Sequence, residues 1–507
     1  MSDVQLVDVT LRDGNQSLWG AVGLTTRMVR SAAPLIDRVG YEVCELTTST
    51  QMATAVRYQR EDPWERIRVA RDGMPSTRLG FLTTGKRFIS FHRTPDNLFE
   101  LAFKLLVRNG ISRFWIAEPM HDMPGAMRMA AIAKAAGAED VVCGICYTLS
   151  PIHTDEYFAA RAAEVDGCEA IDALYLKDPA GLLTPDRVRT LLPLLQRSLR
   201  QKRLAEIHSH CTTGLSPLTV LEAADLGVTT IHCAIPPLAN GTSHPAADTL
   251  VRNLRARGHS VDVDLDAIAA AGAYLRRQAR LKRLPVGAPA EYDEEYYRHT
   301  IPGGVMTTLA RQLTELGKPE LLPAVKEEAV HVRADLGWPI VVTPFAQYIV
   351  TQATLNVLSG ERYSRVSDEM ITLLLGEFGP LPGPVNEELR DRALSSPRAR
   401  ALAQEQEAPS LADLRARFGS EISDEELLLR AVMAEEHVDG IAARRGPSGG
   451  AGSLRSLLDE LEQRPEITSF SMRIGGAEAR IRRAPEPENA GRLYKLPKTP
   501  LPQGGPP

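Results

Sequence analysis

Residues 204–235, LAEIHSHCTTGLSPLTVLEAADLGVTTIHCAI, contain two short apolar runs on either side of a segment with helical periodicity. The runs LAEIHSH and VTTIHCAI have the composition of buried strands, and the first of them ends in polar residues. Two strands joined through a helix are typical of a parallel sheet, because the helix returns the chain to the end of the sheet at which the first strand began. This unit therefore predicts a parallel sheet with helices packed on its outside.

The same alternation recurs through the first half of the chain. The strand candidates, each followed by a helical segment, are VQLVDVTLRD, YEVCELT, RLGFLTT, RFWIAEP, VVCGICYTL, ALYLKD, LAEIHSH and VTTIHCAI. One intervening segment, PDNLFELAFKLLVRNG, places four apolar residues in a helical stripe: Leu98, Leu101, Ala102 and Leu105. Eight strands with helices between them are what a (β/α)8 barrel needs. We therefore predict an α/β fold, a TIM barrel over residues 1–285, which ends in an added helix, LDAIAAAGAYLRRQARLKR.

The remainder of the chain has no strand rhythm. Residues 286–440 consist of helical segments separated by Pro/Gly turns and predict a mainly helical domain. The composition of residues 441–453 is typical of a flexible linker. Residues 454–484 predict one helix and a short β-hairpin, and the Pro-rich residues 485–507 predict a disordered tail.

Composition excludes several classes of protein. The chain has 43% hydrophobic and 24% charged residues and a formal net charge of -5, which offers no field for nucleic acid. It has no apolar stretch of about 18 residues and no signal-peptide pattern, so we expect a cytoplasmic protein without a membrane span. The six cysteines are expected to be reduced. Cys143 and Cys146 form a CxxC motif, but the apolar sequence around them favours a buried strand over a redox or zinc site.

Polar residues follow three of the predicted strands: Asp13, Lys177 with Asp178, and the pair His208 and His210. Barrel enzymes work at the carboxyl ends of their strands, and residues two apart in a strand point the same way. Both imidazoles can therefore reach one metal ion, with Asp13 as a third ligand and an open position left for substrate. The alternative for a bare H-x-H motif is a pair of surface or hydrogen-bonded histidines.

Several motifs resemble those of the biotin-dependent carboxyltransferases, the family of the oxaloacetate decarboxylase alpha subunit and the carboxyltransferase domain of pyruvate carboxylase. They are DVTLRDGNQSLWG, EDPWERIR, LYLKDPAGLLTP, HSHCTTGLSPLTVLEAADLGV, IPGGVMTTLARQL, VTPFAQYIVTQATLNVLSGERY and GPLPGPVNEEL. The resemblance runs in order over residues 4–395. It implies a metal-containing (β/α)8 barrel followed by a helical domain that covers the barrel mouth.

The resemblance also implies the ligands of the metal, which fall on Asp13, Lys177, His208 and His210. In the family this lysine is carbamylated, which turns a cation into a carboxylate. The alternative for Lys177 is an ordinary ion pair with Asp178. The implied metal is Zn²⁺, with Mn²⁺ or Co²⁺ as substitutes, because oxygen and nitrogen ligands suit all three.

The chemistry that the resemblance implies passes through an enolate, formed when a carbon beside a carbonyl gains or loses CO2. A metal ion stabilises that charge, and Arg12 and Gln16 can add to the stabilisation. The family's threonine, which moves a proton between substrate carbon and biotin nitrogen, corresponds to Thr343 in VVTPFAQ. Without the resemblance, a threonine before a proline would be interpreted as a helix or turn cap.

The predicted substrate pocket departs from the family's pattern. Thr84 stands in place of an arginine that grips the keto acid and biotin, and Phe91 in place of a tyrosine. Glu118 replaces an aspartate, and Phe345 precedes an alanine that replaces a serine. The loss of the arginine removes a carboxylate clamp, so the substrate is pyruvate-like, oxaloacetate-like, or a different carbonyl acid or thioester.

Two neighbouring cations, Lys86 and Arg87, are candidates to restore the lost positive charge. Their spacing is shifted relative to the family's arginine. The alternative is that both are exposed basic residues without a role in the pocket.

The chain contains no Met-Lys-Met motif of the kind that carries biotin in the family. Residues 454–484 resemble the lead-in to such carriers. The resemblance therefore implies that biotin arrives on a separate biotin carboxyl carrier protein, which a biotin carboxylase charges. By analogy with the family, we expect a homodimer.

Two other functions stay open at the level of sequence. One is a metal-dependent aldolase or lyase of the related barrel superfamily that acts without biotin, although the VTP, GERY and PGPVNEEL motifs favour the carboxyltransferase. The other is a noncatalytic assembly protein, which would not need metal ligands at the mouth of its barrel.

Overall fold

The eight apolar runs form eight parallel strands that close into a barrel, so the predicted TIM barrel is confirmed. The computed structural model describes residues 3–89, 94–342, 344–404, 409–445, 468–474 and 477–482. The strands are β1 Gln5–Asp8, β2 Val43–Thr48, β3 Arg78–Thr84, β4 Ile111–Ala117, β5 Asp140–Cys146, β6 Ala173–Asp178, β7 Leu204–Ser209 and β8 Thr230–Cys233. β1 pairs with both β2 and β8, which closes the ring.

Helices alternate with these strands and continue after them. Those of the barrel region are α1 Asn15–Trp19, α2 Thr26–Asp37, α3 Ser49–Thr54, α4 Pro63–Gly73, α5 Asp96–Arg108, α6 Met123–Ala135, α7 Asp155–Val165, α8 Pro185–Ser198, α9 Ser216–Asp225, α10 Ala247–Ala256 and α11 Leu265–Lys282. Those that follow are α12 Glu295–His299, α13 Gly303–Glu315, α14 Leu322–Asp335, α15 Phe345–Ser359, α16 Asp368–Leu374, α17 Glu387–Leu394, α18 Pro397–Gln404, α19 Leu411–Phe418, α20 Asp424–Val432 and α21 Glu435–Arg445. The predicted added helix is α11.

Local sequence explains where these helices begin and which face they bury. Thr184 accepts a hydrogen bond from the Arg187 N–H and Pro185 occupies the first helical position, so α8 begins as a capped helix. In α5 the predicted stripe faces the core, where Leu98, Ala102 and Leu105 are buried. Such stripes on the barrel helices pack against the outside of the strands.

The inside of the barrel is unusually polar. Glu206 accepts hydrogen bonds from Trp115 Nε1 at 2.8 Å and from Arg113, and it lies 3.0 Å from His232 Nε2. Arg113 also pairs with Asp140 at 3.1 Å. These groups come from four strands, so their ion pairs and hydrogen bonds link the strands across the interior, where buried charges need partners.

Two glycines make room for the aromatic side chains of this interior. A Cβ atom on Gly144 would lie 2.7 Å from the ring of Tyr175, and one on Gly80 would overlap the indole of Trp115. Both rings are fully buried. The absence of a side chain at these positions is therefore a packing requirement of the barrel interior.

Most of the helices that follow the barrel fall into two groups. Side chains of α13 to α17 share a hydrophobic cluster with residues at the carboxyl end of the barrel, including Leu82, Ala117 and Met120. Helices α19 to α21 instead share the cluster of the outer barrel helices, and Glu425 pairs with Arg68 at 3.0 Å. The first group therefore lies at the mouth of the barrel and the second on its side.

Cys143 and Cys146 lie in β5, as the apolar sequence around them predicts. Both are buried free thiols. Burial raises the pKa of Cys146 to about 12, so this thiol is protonated and unreactive at neutral pH.

Residues 447–507 form a separate unit, in which β9 Ser469–Ile474 and β10 Ala477–Arg482 pair as an antiparallel hairpin. The hairpin predicted within residues 454–484 is therefore present. The helix predicted before it and the tail at 485–507 lie outside the described residues. The described part of the chain contains no helix with the length and apolarity needed to cross a membrane.

The packing around Trp115 leads to a stability prediction. Gly80→Ala should lower the free energy of unfolding by about 1–3 kcal/mol, because the added methyl group has to displace the buried indole. Gly167→Ala is the matched control, since a Cβ at Gly167 meets no atom within 4 Å; its effect should stay within about 0.5 kcal/mol. Urea unfolding followed by circular dichroism measures both, and equal stabilities of the two variants would contradict this account.

Candidate metal centre and substrate cavity

The predicted metal ligands meet at the carboxyl end of the barrel. Asp13 lies in a short π-helical turn, Thr10–Gly14, directly after β1, and Lys177 lies near the end of β6. His208 is in β7 and His210 follows that strand by one residue. All four side chains are buried.

The distances within this group suit a single metal ion. Nε2 of His208 and Nε2 of His210 each lie 3.3 Å from Oδ2 of Asp13. Ligand atoms about 2.0–2.1 Å from a tetrahedral zinc ion lie about 3.3 Å from one another. His210 Nδ1 lies 2.8 Å from the carbonyl oxygen of Thr242 and is the donor in that contact, which leaves Nε2 as the free lone pair.

The charges and burial around Asp13 and His208 favour the protonation states that a metal ligand requires. Burial favours a raised pKa of Asp13, but Arg12 and His210 outweigh it and hold the pKa well below its usual range. Arg12 Nη1 lies 2.8 Å from Asp13 Oδ2. Burial, together with Lys177, lowers the pKa of His208 well below its usual value. Asp13 is therefore a carboxylate and His208 a neutral imidazole.

Lys177 lies beside the histidines rather than beside Asp178. Its Nζ is 2.8 Å from Nε2 of His208, whereas the Asp178 carboxylate accepts hydrogen bonds from the N–H groups of Leu182 and Leu183. Burial, aided by Arg12, lowers the pKa of Lys177. The lysine is thus held within the ligand group, a position that the ordinary ion-pair alternative does not explain.

The motifs of the sequence did not predict a third histidine at this site, His244. It follows β8, and its ligand atom lies within 4.8 Å of those of Asp13, His208 and His210. The only sequence signal was its position after the last barrel strand, in GTSHP.

A second group, Glu45 and His232, lies on the inner side of His208. His232 Nδ1 is 3.0 Å from His208 Nδ1 and 3.8 Å from the Glu45 carboxylate, which also pairs with Arg12. These residues connect the ligand His208 and the cation Arg12 to the polar interior of the barrel. Groups in such positions orient ligating imidazoles.

A cavity of about 220 Å³ opens beside the ligand group. Arg12, Asp13, Lys177 and His210 line one part of it, and Gln16 and Thr84 also lie in its wall. The helical region contributes further lining residues: Pro302, Gly303, Gly304, Val305, Thr308, Val342 and Gln347. The cavity is therefore enclosed jointly by the barrel and the helices at its mouth.

The two candidate cations near Thr84 have different positions. Lys86 pairs with Asp122 at 2.6 Å. Arg87 lines the cavity, is only 3% exposed and has its Nη2 atom 3.4 Å from the hydroxyl of Thr50. Burial lowers the pKa of Arg87 to about 10, so it stays a cation at neutral pH. The expectation of an exposed basic residue is wrong for Arg87, because the chain after β3 turns its side chain into the cavity.

Two further predicted pocket residues lie outside the cavity wall. Glu118 is buried and accepts hydrogen bonds from the N–H groups of Met120 and Asp122, and burial raises its pKa to about 8. Phe345 is buried at the start of α15, with its ring 5.3 Å from that of Phe378. Glu118 is thus held by backbone hydrogen bonds and Phe345 by aromatic packing, and neither lines the cavity. Thr343 and Phe91 lie outside the described residues.

Comparisons with known proteins identify related carboxylases. The family model PYC_OADA, described as a conserved carboxylase domain, matches residues 296–468. The chain is 35% identical to a pyruvate carboxylase subunit of Methanocaldococcus jannaschii, over 77% of this chain and 68% of that protein. It is 29% identical to the 2-oxoglutarate carboxylase large subunit of Hydrogenobacter thermophilus, over 92% of this chain and 71% of that protein.

Solved structures show the same fold. The carboxyl transferase domain of Rhizobium etli pyruvate carboxylase, solved with oxamate and biotin, superposes with a TM-score of 0.81 at 22% identity. The superposition covers 88% of this chain and 79% of that domain. Fold, motif order and the extent of the identity to the archaeal pyruvate carboxylase relative lead to one conclusion: the chain belongs to the biotin-dependent carboxyltransferase family.

Proposed function

We propose that this protein moves a carboxyl group between biotin on a separate carrier protein and an anionic, enolisable carbonyl acid, at a metal centre in the barrel mouth. The observation that carries the proposal is the convergence of Asp13, His208 and His210, with both imidazole nitrogens 3.3 Å from one carboxylate oxygen. A cavity of about 220 Å³ opens beside them.

The donors fit a divalent ion, because one anionic oxygen and neutral imidazole nitrogens suit Zn²⁺, Mn²⁺ and Co²⁺. Asp13, His208 and His210 would hold the ion, together with a carbamate on Lys177. A carbamate forms when the neutral amine of Lys177 adds to CO2 and loses a proton, which the burial of this side chain favours. The bound ion supplies the Lewis acidity that stabilises the negative charge of an enolate.

Residues of the cavity position and polarise the substrate. Arg12 bridges Asp13 and Glu45, so it holds the ligand carboxylate in place and adds positive potential beside the reacting carbonyl. Gln16 lies in the cavity wall, where its amide N–H groups can donate to the carbonyl oxygen.

Arg87 supplies the carboxylate contact that Thr84 cannot make. Its guanidinium is buried and lines the same cavity as Arg12 and Gln16, where a bound substrate can contact it. A fork of N–H donors binds a carboxylate through two hydrogen bonds. The substrate class is therefore a small oxo acid whose carboxylate contacts Arg87 while its carbonyl faces Arg12 and Gln16.

The proton and bond balance of the transfer assigns a role to Thr343. The N–C bond of carboxybiotin breaks and releases CO2, and the biotin nitrogen gains a proton. That proton comes from the substrate carbon, which then forms the new C–C bond with CO2. A hydroxyl that accepts one proton while it donates another carries out this exchange, and Thr343 is the residue that matches the family's threonine.

The partners follow from the biotin dependence of the family. We infer a biotin carboxyl carrier protein and a biotin carboxylase as partners, because a related pyruvate carboxylase protein is named as a subunit. We also infer a homodimer, by analogy with the family, which light scattering of the purified protein would test.

The proposal is tested by reconstitution with a biotinylated carrier. Purified protein should transfer carboxyl groups between carboxylated carrier and pyruvate, and avidin should abolish the transfer. His210→Ala should lose both the bound zinc and the activity, because it removes one of the ligands 3.3 Å from Asp13. His331→Ala, at an exposed position of α14, is the control and should retain both. Transfer that continues in avidin, or full activity of His210→Ala, would refute the proposal.

The role of Arg87 predicts a specific kinetic signature. Arg87→Ala should raise the KM for pyruvate or 2-oxoglutarate by about 10- to 100-fold, because a charge-assisted pair of hydrogen bonds to carboxylate is lost. Arg87→Lys keeps the charge and should recover part of the loss, whereas Arg71→Ala on the exposed surface should have no effect. Steady-state kinetics with saturating carrier measure this, and an unchanged KM would exclude Arg87 as the clamp.

The proton-transfer role of Thr343 predicts a loss in kcat rather than in binding. Thr343→Ala should lower kcat by about 100- to 10,000-fold, the contribution typical of general acid–base catalysis. Thr343→Ser keeps the hydroxyl and should retain most of the rate. Equal rates for the alanine and serine variants would show that the hydroxyl transfers no proton.

A further inference from the structure

His244 occupies a position that the motifs of the chain do not assign. It lies in the loop after β8, and its Nε2 atom is 3.8 Å from Asp13 Oδ2 and 3.1 Å from Nε2 of His208. The ring centroids of His244 and His210 are 4.2 Å apart. Three imidazoles and one carboxylate therefore surround a single point.

Within the described residues, the imidazole of His244 has its hydrogen bond to the ligand group of Asp13, His208 and His210. His244 is fully buried, and within the described residues its Nδ1 atom has no hydrogen-bond partner. The hydrogen bond of its side chain is to His208, which is itself one of the predicted ligands. Its Nε2 atom faces His208 and Asp13, so a metal ion held between these residues would bind the lone pair of that nitrogen.

The backbone around His244 fixes the ring at this place. The His244 carbonyl accepts a hydrogen bond from Asn240 N–H at 2.7 Å, and the carbonyl of Ser243 accepts one from Cys211 N–H at 2.7 Å. The second bond ties the loop to the residue after His210. The backbone segments that carry His210 and His244 are therefore joined by a main-chain hydrogen bond.

Lys177 and His244 offer different ways to complete the ligand set. An ammonium group cannot bind a metal cation, and the ligand form that the family resemblance implies for Lys177 is the carbamate, which requires CO2. The imidazole of His244 needs no such modification. Its set with Asp13, His208 and His210 consists of one oxygen and three nitrogens, which suits zinc without any other protein ligand.

We propose that His244 is a metal ligand, so that Asp13, His208, His210 and His244 retain the ion even when Lys177 is not carbamylated. This inference rests on the metal centre of the proposed function. In it, ion binding and the carbamate on Lys177 are separate events. CO2 would then control the coordination and activity of the site but not the presence of the metal.

The alternative is that His244 only forms a hydrogen bond to the ligand His208. The two roles predict different losses of metal affinity and different absorption spectra of bound Co²⁺. Loss of a hydrogen-bonding neighbour of a ligand lowers metal affinity by about 10- to 100-fold, and it leaves the donor atoms of the ion unchanged. Loss of a ligand should exceed about 100-fold and change the visible absorption of a bound Co²⁺ ion, since that absorption reports the number and type of donor atoms.

The test uses the full chain, stripped of metal and loaded with Zn²⁺ or Co²⁺ in buffer with and without CO2. Chelator competition gives the affinity for Zn²⁺, and absorption spectroscopy reports the environment of Co²⁺. The variants are His244→Ala, His244→Gln and Lys177→Ala. His153→Gln is the matched control, since it makes the same change at a buried histidine that bonds to Ser150 and is not among the cavity residues.

We expect His244→Ala and His244→Gln to lose more than about 100-fold in Zn²⁺ affinity and to change the Co²⁺ spectrum. Lys177→Ala, and the wild-type chain without CO2, should retain the ion. His153→Gln should match the wild type. A wild-type Co²⁺ spectrum in both His244 variants, or a Lys177→Ala variant that no longer binds metal, would overturn the inference.

The outcome is separable from that of the proposed function. If the His244 variants bind metal normally and the wild-type protein still transfers carboxyl groups, only the role of His244 is wrong. If the wild-type chain binds neither Zn²⁺ nor Co²⁺, the metal centre itself fails and the proposed chemistry fails with it.

Discussion

The candidate metal centre at the mouth of the barrel depends on one arrangement: the Asp13 carboxylate lies 3.3 Å from the imidazoles of His208 and His210. The groups come from the first and seventh strands, which are far apart in sequence. Only the closure of the ring through β1 and β8 brings their ends together. The ligand group therefore depends on closure of the barrel.

The polar interior of the barrel gives these ligands a rigid base. His232 contacts His208 on one side and Glu206 on the other, and Glu206 is bound to Arg113 and Trp115. On the opposite side Arg12 bridges Asp13 and Glu45. Such a network costs desolvation energy, and it is best understood as a device that holds ligands at fixed distances. This arrangement differs from the branched apolar layers that usually fill a TIM barrel.

The sequence predicts the barrel well because each strand and helix carries its own local signal. The alternation of apolar runs and helical stripes indicated the eight strands, and the period of two within a strand predicted that His208 and His210 point the same way. The motifs also identified Arg12, Gln16 and Thr84, which the structure places in one cavity wall.

Other features of the site depend on contacts that no local pattern encodes. His244 lies in a loop, and its position is set by main-chain bonds to the segment after β7. Arg87 lies in a cavity whose wall is partly formed by Val342 and Gln347 of the helical region, far along the chain. From the sequence alone, a basic residue in a loop is expected to be exposed. Glu118 and Phe345 were selected by position in a motif, yet hydrogen bonds to the backbone and aromatic packing account for their places.

The central claim is that one divalent ion binds between Asp13, His208 and His210. Crystals of the purified protein, measured on both sides of the zinc, cobalt and manganese absorption edges, test it most directly. The account predicts one anomalous peak about 2 Å from Asp13 Oδ2 and from both Nε2 atoms. Crystals grown with added zinc that show no such peak, or a peak bound elsewhere, would contradict it.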